Sequence, residues 1–149
     1  MKISKKTDYA LRVLFGLVNT WRDEPVGISV LAREYGVPKR FLEQIMLKLK
    51  KKGWVESRQG KKGGYRLAVA PNAITIGEVV RNFSGVLAPI GCVSVTAPQR
   101  CEREKNCPFR GFFKEIRDHT AELLDKATIA EVAAGKAVVR KVRKRCLRK

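Results

Sequence analysis

Apolar side chains recur at every third or fourth position through three successive segments of the N-terminal third of the chain. This spacing predicts three amphipathic helices. In the first segment the apolar positions run from Tyr9 to Val18 and line one face of the predicted helix. In the second, Ser29 is placed to cap the start of a short helix, and Gly36 is suited to the left-handed position at its end.

The third predicted helix is about 14 residues long, because Pro38 fits its first turn and Gly53 fits its stop. Its apolar stripe, which is expected to face the core, consists of Leu42, Ile45, Met46 and Leu49. Only the corner Gly36-Val37-Pro38 separates this helix from the second one. Two helices joined in this way have the layout of a helix-turn-helix.

The polar face of the third helix has the chemistry needed to read DNA. Gln44 is able to bond to an adenine edge, Glu43 to accept from a cytosine amine, and Arg40 to reach guanine or phosphate. Lys48 and Lys51 add positive charge to the same face. An ordinary solvated helix face is the alternative interpretation, since surface helices usually have such a polar side.

The following segment favours the DNA interpretation. WVESR and YRLAV alternate in the period-2 manner of strands and are joined by QGKKGG, which predicts a β-hairpin. From Lys48 to Arg66 there are eight basic residues and one acid, Glu56. A basic, glycine-rich hairpin directly behind a helix-turn-helix is a wing that suits phosphates or a narrow minor groove. The predicted DNA contacts are Ser29, Lys39, Arg40, Glu43, Gln44, Lys48, Arg58, Gln59, Lys61 and Lys62.

Beyond the wing the sequence predicts a short helix and then a long loop. Thr75 with Glu78 forms a capping box that starts the helix. Residues 84–107 contain glycine and proline and show no sustained period. A loop of about this length is uncommon in a compact domain unless it has a function or is held by a ligand. Its three cysteines are Cys92, Cys101 and Cys107.

A helical pattern returns at Phe109 and continues to Ala127. Packing within the chain is one interpretation. The preferred one is a dimerisation helix, because a small winged helix usually needs two copies to span DNA half-sites about 34 Å apart. A second capping box, Thr128 with Glu131, starts a last short helix that Gly135 is suited to end. The predicted divisions are a winged helix-turn-helix over 1–83, a cysteine loop over 84–108, a dimerisation helix with a short final helix over 109–135, and a basic tail over 136–149.

Composition narrows the class of function. The 149 residues carry 32 Lys and Arg against 14 Asp and Glu, a formal charge of +18, and the usual partner of such a surface is nucleic acid or an anionic membrane. No apolar run approaches the roughly 20 residues of a membrane span, and the N-terminus lacks the features of a signal peptide. A cytoplasmic protein with no membrane partner is therefore expected. A single histidine, His119, and no phosphate-binding loop argue against an enzyme.

Four parts of the chain resemble the winged-helix regulators of the IscR, NsrR and CymR type. They are the opening MKISKKTDYALRVL, the block FLEQIMLKLKKKGWVESRQGKKGGYRL, the segment AITIGEVVR and the three-cysteine loop. The resemblance implies a mainly α fold with a small β-hairpin wing and a homodimer that binds a pseudo-palindromic operator in double-stranded DNA. It matches Glu43 and Gln44 to the base-reading pair of the family. In the wing, Arg58 precedes Gln59-Gly60 where many members have an Arg-Gly pair.

Three thiolates are soft ligands suited to zinc or to an iron–sulfur cluster, and such a site still needs a fourth ligand. The spacings of eight and five intervening residues are unlike those of structural zinc sites, which favours a two-iron or four-iron cluster over zinc. For the fourth ligand, IscR-like members of the family have a histidine three residues after the last cysteine, but this chain has Arg110 there, so that pattern is broken. NsrR-like members use an aspartate in the first helix that reaches the cluster from the partner subunit. Asp8 matches that aspartate, and it is equally placed as a helix-start carboxylate favoured by the helix dipole.

The sequence therefore predicts a homodimeric transcriptional regulator whose DNA affinity is modulated by an iron–sulfur cluster that senses redox state, nitric oxide or iron status. A zinc-stabilised or metal-free basic nucleic-acid-binding module without sensing is the alternative. Cys146 lies in the basic tail and is interpreted as a bystander thiol.

Overall fold

The structure is a computed structural model that describes residues 3–60 and 62–136. Lys61, Cys146 and the rest of the tail from 137 onward lie outside the described residues. The described elements are α1 (Lys5–Asn19), α2 (Ile28–Glu34), α3 (Lys39–Lys51), β1 (Val55–Arg58), β2 (Gly64–Leu67), α4 (Ile76–Ser84), α5 (Pro108–Lys126) and α6 (Ile129–Ala133). Single turns of 3-10 helix lie at Pro71–Ala73, Gly91–Val93 and Glu104–Asn106. This order confirms the predicted winged helix-turn-helix, mainly α with one small β-hairpin.

The core of the winged helix is formed by the inner faces of α1, α2 and α3. The predicted stripe of α3 is buried throughout and consists of Leu42, Ile45, Met46 and Leu49. α1 contributes Ala10, Val13, Leu14 and Leu17, which are also buried. Because apolar burial stabilises only one rotation of α3 about its axis, the polar face of that helix is directed to solvent.

The start of α2 differs from the sequence prediction. Gly27, not Ser29, is the N-cap residue, and it makes no side-chain cap. Ser29 is the second residue of the helix, with an exposed side chain. The reason is tertiary: Val26 is paired with Tyr65 of the hairpin, so the chain leaves the extended conformation at Gly27 and the helix begins directly after it.

The wing is tied to the helix-turn-helix through its base. β1 and β2 are antiparallel, with Arg58 opposite Gly64. Val26 and Tyr65 exchange two backbone hydrogen bonds of 2.9 Å each, which adds an extended segment to the edge of the hairpin. A Cβ atom on Gly64 would lie 2.5 Å from the Val26 carbonyl, so the close approach of the two backbones requires glycine at this position.

Both predicted capping boxes are formed, and they lie side by side. Thr75 and Glu78 cap α4, and Thr128 and Glu131 cap α6. The two threonines pair in an isolated antiparallel bridge. Ile129 behind the bridge is 4% exposed and belongs to the same apolar core as the buried side chains of α1 and α3. The final helix therefore packs on the winged helix, although it follows α5 in sequence.

The long helix α5 has no buried residue in the described chain. It packs along α4 on one side, and its N-terminus follows directly on Cys107. Gly85, with φ of 74°, ends α4 and opens the connection that leads through the cysteine loop to α5. Neither α5 nor any other described helix combines the length and the hydropathy that a bilayer crossing requires.

Candidate nucleic-acid interface and cysteine loop

The outer face of α3 presents charged and amide side chains to solvent. The exposed residues on this face include Lys39, Arg40, Glu43, Gln44 and Lys48. Burial of the opposite stripe holds the helix in this rotation, so these side chains stay on the surface. The arrangement leaves hydrogen-bond donors and acceptors available to the base edges of a DNA groove.

The N-terminus of α3 is suited to a phosphate group. Lys39 and Arg40 begin the helix, and its first turn holds no acidic residue. Cations at the positive end of the helix dipole are unfavourable in the isolated protein. An anion at this end would be stabilised by the dipole, by free backbone N–H groups and by both side chains.

Two lysines of α3 also make contacts within the chain. Lys48 Nζ lies 5.5 Å from the centroid of the Phe83 ring of α4. Lys50 Nζ donates a hydrogen bond to Ser57 Oγ of β1 at 2.7 Å. These contacts connect α3 with α4 and with the wing, and both ammonium groups keep their positive charge.

The basic side chains of the wing differ in their partners. Arg66 forms an ion pair with Glu56 across the hairpin, and the two charges neutralise each other. Lys62 Nζ lies 3.9 Å from Glu24, and both side chains are largely exposed. The side chain of Arg58 is exposed and makes no ion pair or hydrogen bond with the residues that the structure describes. Arg58 is therefore available to an external phosphate or base.

A cleft of about 700 Å³ separates the wing from the connection between α1 and α2. Its charged and amide lining residues are Arg22, Asp23, Glu24, Arg58, Gln59, Lys62 and Arg66. Basic side chains outnumber acidic ones along this lining, so the cleft favours an anion. Arg58 and Gln59 of the wing both line this basic cleft.

The three loop cysteines occupy different environments. Cys92 is half-buried within the single turn Gly91–Val93, and Cys107 is half-buried immediately before α5. Cys101 is exposed, as are all the residues from 95 to 103. All three are free thiols.

Contacts to α5 anchor both ends of the loop. Arg117 Nη1 of α5 donates to the Val93 carbonyl at 2.7 Å, and only 15% of the Arg117 side chain is exposed. Near the other end, Arg110 Nη2 of α5 donates to Glu104 at 2.7 Å. The segment around Cys101 lies between these two anchors.

The described residues do not form a preassembled metal site. Within 3–60 and 62–136, no three His, Cys, Asp or Glu side chains lie close enough together to hold a metal ion. Three thiols are chemically suited to an iron–sulfur cluster, so the donor set fits that group. Binding of one cluster by all three sulfurs therefore requires a rearrangement of the loop that brings them together.

Asp8 has a local partner. It lies in the first turn of α1 and forms a two-point ion pair with Arg12, with N···O distances of 2.9 and 3.1 Å. An acid in the first turn, paired at i,i+4, stabilises a helix without any ligand role. The structure does not bring Asp8 together with the cysteines in a group that could bind a metal within one described chain.

A second surface is apolar, and we call it the α5 surface. It consists of Phe15, Phe109, Phe112, Ile116, Leu123 and Val132, all of which are exposed. Three of these side chains also line a groove of about 510 Å³ between α1, α5 and α6. Exposed apolar patches of this kind mark interaction surfaces in soluble proteins.

Two features of the site were not predicted from the sequence. Leu47 is 67% exposed on the outer face of α3. The helical periodicity could have predicted this exposure, because Leu47 lies one turn after Glu43 and Gln44 and outside the core stripe. The contact of Arg117 with the loop has no such signal, because it depends on the path of the chain between α4 and α5.

Comparison with known proteins gives the family. Residues 3–135 match Rrf2, described as an iron-dependent transcriptional regulator. An rrf2-like HTH-type transcriptional regulator of Rhodobacter capsulatus is 38% identical over 138 residues, which cover 89% of this chain and 92% of that protein. The HTH-type transcriptional regulator NsrR of Bacillus licheniformis is 30% identical over 142 residues, which cover 95% of this chain and 99% of that protein.

The fold is also shared with a solved structure. CymR (YrzC), the global cysteine regulator of B. subtilis, matches with a TM-score of 0.74 and 30% identity, over 91% of this chain and 98% of that one. These similar proteins are named as transcriptional regulators and not as enzymes. With a family match over nearly its whole length and this shared winged-helix fold, the chain belongs to the Rrf2 family of helix-turn-helix transcriptional regulators.

Proposed function

We propose that the protein is a homodimeric regulator that binds a pseudo-palindromic operator, and that an iron–sulfur cluster on Cys92, Cys101 and Cys107 modulates its DNA affinity. The observation that carries the proposal is the solvent-facing polar side of α3 beside the unpaired Arg58 of the wing. A helix held in this rotation is able to enter the major groove while the wing contacts the neighbouring backbone or minor groove.

Each interface residue has a distinct role in this proposal. Glu43 and Gln44 read base edges, because their acceptor and amide groups match cytosine and adenine in the major groove. Lys39 and Arg40 bind phosphate at the N-terminus of α3. Arg58 enters the groove beside the wing, since it is the wing arginine without an acidic partner in the described chain.

The dimer is supported by the α5 surface. α5 is 19 residues long and has no buried side chain within one chain. Leaving phenylalanine and leucine side chains in water forgoes about 25 cal/mol for each Å² of apolar area that could be covered. A second copy of the helix would cover this area, and the resulting two-fold symmetry would match a palindromic operator.

The proposed regulation depends on how the cysteine loop is connected to the DNA-binding elements. Arg117 of α5 donates a hydrogen bond to Val93 and so links α5 to the part of the loop that carries Cys92. Arg81 and Asp125 link α5 to α4. When bound, the cluster supplies redox and ligand-exchange chemistry. The chain itself supplies the mechanical connection. A cysteine loop that rearranges to bind the cluster would pull on Arg117 and so move α5, and α5 would in turn move α4 and the recognition helix α3.

The experiment uses anaerobically purified wild type and Cys101→Ala. We expect the wild type to contain iron and sulfide and to absorb between roughly 320 and 450 nm, and the variant to lose both. Cys146→Ala is the matched control, because its thiol lies outside the loop and its removal leaves the iron content unchanged. Unchanged iron in Cys101→Ala would overturn the ligand assignment.

DNA binding is tested separately, through its dependence on salt. For a dimer with about four phosphate contacts in each half-site, log K falls with log salt with a slope near −7. Operator binding should also change when nitric oxide or oxygen is added to the anaerobic protein. A slope near zero contradicts DNA binding. A normal slope with no response to either gas contradicts cluster regulation alone.

Asp8 is proposed as the fourth ligand, contributed by the partner subunit. Asp8→Asn should then lower the iron content of anaerobic protein. Arg12→Ala is the control, because it removes the local ion-pair partner and leaves the carboxylate in place. Equal iron content in wild type and Asp8→Asn would restrict Asp8 to its helix-start role.

A zinc-stabilised or metal-free DNA-binding module is the second candidate. The observation that favours it is that the described residues hold no preformed group of three metal ligands. Colourless anaerobic protein with stoichiometric zinc would support the zinc form. Colourless protein without metal, which still binds DNA with a steep salt dependence, would support a regulator that responds through thiol oxidation or a partner protein.

A further inference from the structure

Leu47 is an apolar side chain in the centre of a polar surface. It lies on α3 and is 67% exposed, whereas the four apolar residues of the core stripe on the same helix are at most 1% exposed. Most of the other large exposed apolar side chains of the described residues lie on α1, α5 and α6, where they form the α5 surface. That surface does not include α3, so a dimer formed through it gives no reason for the exposure of Leu47.

The position of Leu47 on the helix is set by its spacing from the predicted base-reading residues. At about 100° per residue, Leu47 lies about 40° from Glu43 and about 60° from Gln44 around the helix axis. It is therefore between them on the helical wheel and about one turn further along. Any DNA groove that receives Glu43 and Gln44 also receives the Leu47 side chain.

The major groove contains one apolar group that such a side chain is suited to contact. Thymine carries a C5-methyl group there, while the other base edges present hydrogen-bond donors and acceptors. A leucine placed against donors and acceptors would leave them without partners, which costs free energy. Against a methyl group the same side chain loses only water. Glu43 and Gln44 recognise base edges by hydrogen bonds, and neither of them is suited to an apolar methyl group. Leu47 would supply that apolar contact.

We infer that Leu47 is a specificity-determining residue that contacts the methyl group of a thymine in each operator half-site. This inference rests on the DNA binding proposed above, and it adds a base preference that Glu43 and Gln44 do not account for. Truncation to alanine removes the contact without disturbing the core, because the side chain is outside the buried stripe.

The test begins with selection from a pool of random-sequence duplexes by wild-type protein and by Leu47→Ala. We expect the wild type to enrich thymine at one position of each half-site, and the variant to lose that preference while it still enriches the positions read by Glu43 and Gln44. Val95→Ala is the control, because it also shortens a highly exposed apolar side chain but lies on the loop. This control should select the same sequence as the wild type.

The second measurement replaces the selected thymine with uracil, which lacks only the methyl group. For wild type we expect binding to weaken about fourfold per half-site, the value that corresponds to one buried methyl group. Leu47→Ala should bind both duplexes equally. The wild-type comparison involves no mutation, so it stands even where a variant folds poorly.

The outcomes separate this inference from the proposed function. If the wild type selects no sequence and its binding does not depend on salt, DNA binding itself is contradicted. If the wild type selects a sequence but uracil has no effect, or Leu47→Ala shows the same uracil effect as wild type, the assignment of Leu47 is overturned and DNA binding stands.

Discussion

Arg81 near the end of α4 forms a two-point ion pair with Asp125 near the end of α5, with its two terminal nitrogens donating to the two carboxylate oxygens at 2.7 and 2.6 Å. This hydrogen bonding raises the pKa of Arg81 above its ordinary value, against the opposing effect of burial. Gly77 leaves room for the pair, because a Cβ atom there would collide with the Asp125 carboxylate. The contact joins the helix that follows the wing to the helix that follows the cysteine loop.

Removing this pair should loosen the junction of α4 and α5. We expect Asp125→Asn to lower the free energy of unfolding by about 1 kcal/mol, since the geometry is bidentate but both side chains are partly exposed. Urea denaturation measures the effect. Glu122→Gln is the control: it breaks an exposed pair with Lys126 within α5 and should lower stability by less than Asp125→Asn does. Equal stability of Asp125→Asn and wild type would show that the pair does not hold the two helices together.

The base of the wing should not tolerate a side chain at Gly64. We expect Gly64→Ala to cost about 2 kcal/mol of stability, because a Cβ atom would overlap the backbone of Val26. DNA affinity should fall as well, since the displaced hairpin carries Arg58. At Gly27, where an added Cβ meets nothing within 4 Å, serine is the control. Serine there supplies a capping hydroxyl and should leave stability equal or higher. A fully stable Gly64→Ala variant would contradict the close contact between wing and helix-turn-helix.

The anchoring of the cysteine loop should be visible in the reactivity of its thiols. In metal-free protein we expect iodoacetamide to modify Cys101 faster than Cys92 or Cys107, because only Cys101 is exposed. Arg117→Ala should raise the rate at Cys92 about fivefold, the equivalent of about 1 kcal/mol for the lost hydrogen bond to Val93. Peptide mapping by mass spectrometry resolves the sites. Arg12→Ala, far along the sequence from the loop, is the control, and equal Cys92 rates in all three proteins would exclude an anchoring role for Arg117.

The end of α5 provides a prediction about pH. The hydrogen bond from Lys126 lowers the pKa of Glu122, with a smaller contribution from the charge of His119. A carboxyl group with a lowered pKa stabilises the folded state above its unfolded pKa, and this effect is lost as the pH falls through the folded pKa. An NMR titration of Glu122 should therefore show a pKa below the ordinary glutamate value, rising towards it in Lys126→Ala. An identical titration in both proteins would mean that the pair does not form in solution.

Local relationships in the sequence were predicted well. Thr75 with Glu78 and Thr128 with Glu131 form the expected capping boxes, because a capping box depends on residues three positions apart. The buried stripe of α3 and the β-hairpin are confirmed for the same reason, since helical and strand periods are read over a few residues. The resemblance to the IscR, NsrR and CymR regulators is confirmed by the match to the Rrf2 family.

Features that depend on distant parts of the chain were decided by the tertiary structure. Ser29 is not the cap of α2, because pairing of Val26 with a strand about 40 residues later sets where the helix begins. Ile129 joins the first core, because backbone pairing brings Thr128 to Thr75.

The sequence by itself determined the elements, their buried faces and the chemistry of the side chains, because these follow from local spacing and residue type. Only the tertiary structure decided which of those side chains are free to act. Arg58 has no acidic partner in the described chain, whereas Arg66 has one. Leu47 is exposed to solvent, and Cys101 is exposed between the two points at which α5 contacts the cysteine loop. Pairing and exposure depend on which segments meet in space, and segments far apart in sequence meet through packing that local spacing does not specify.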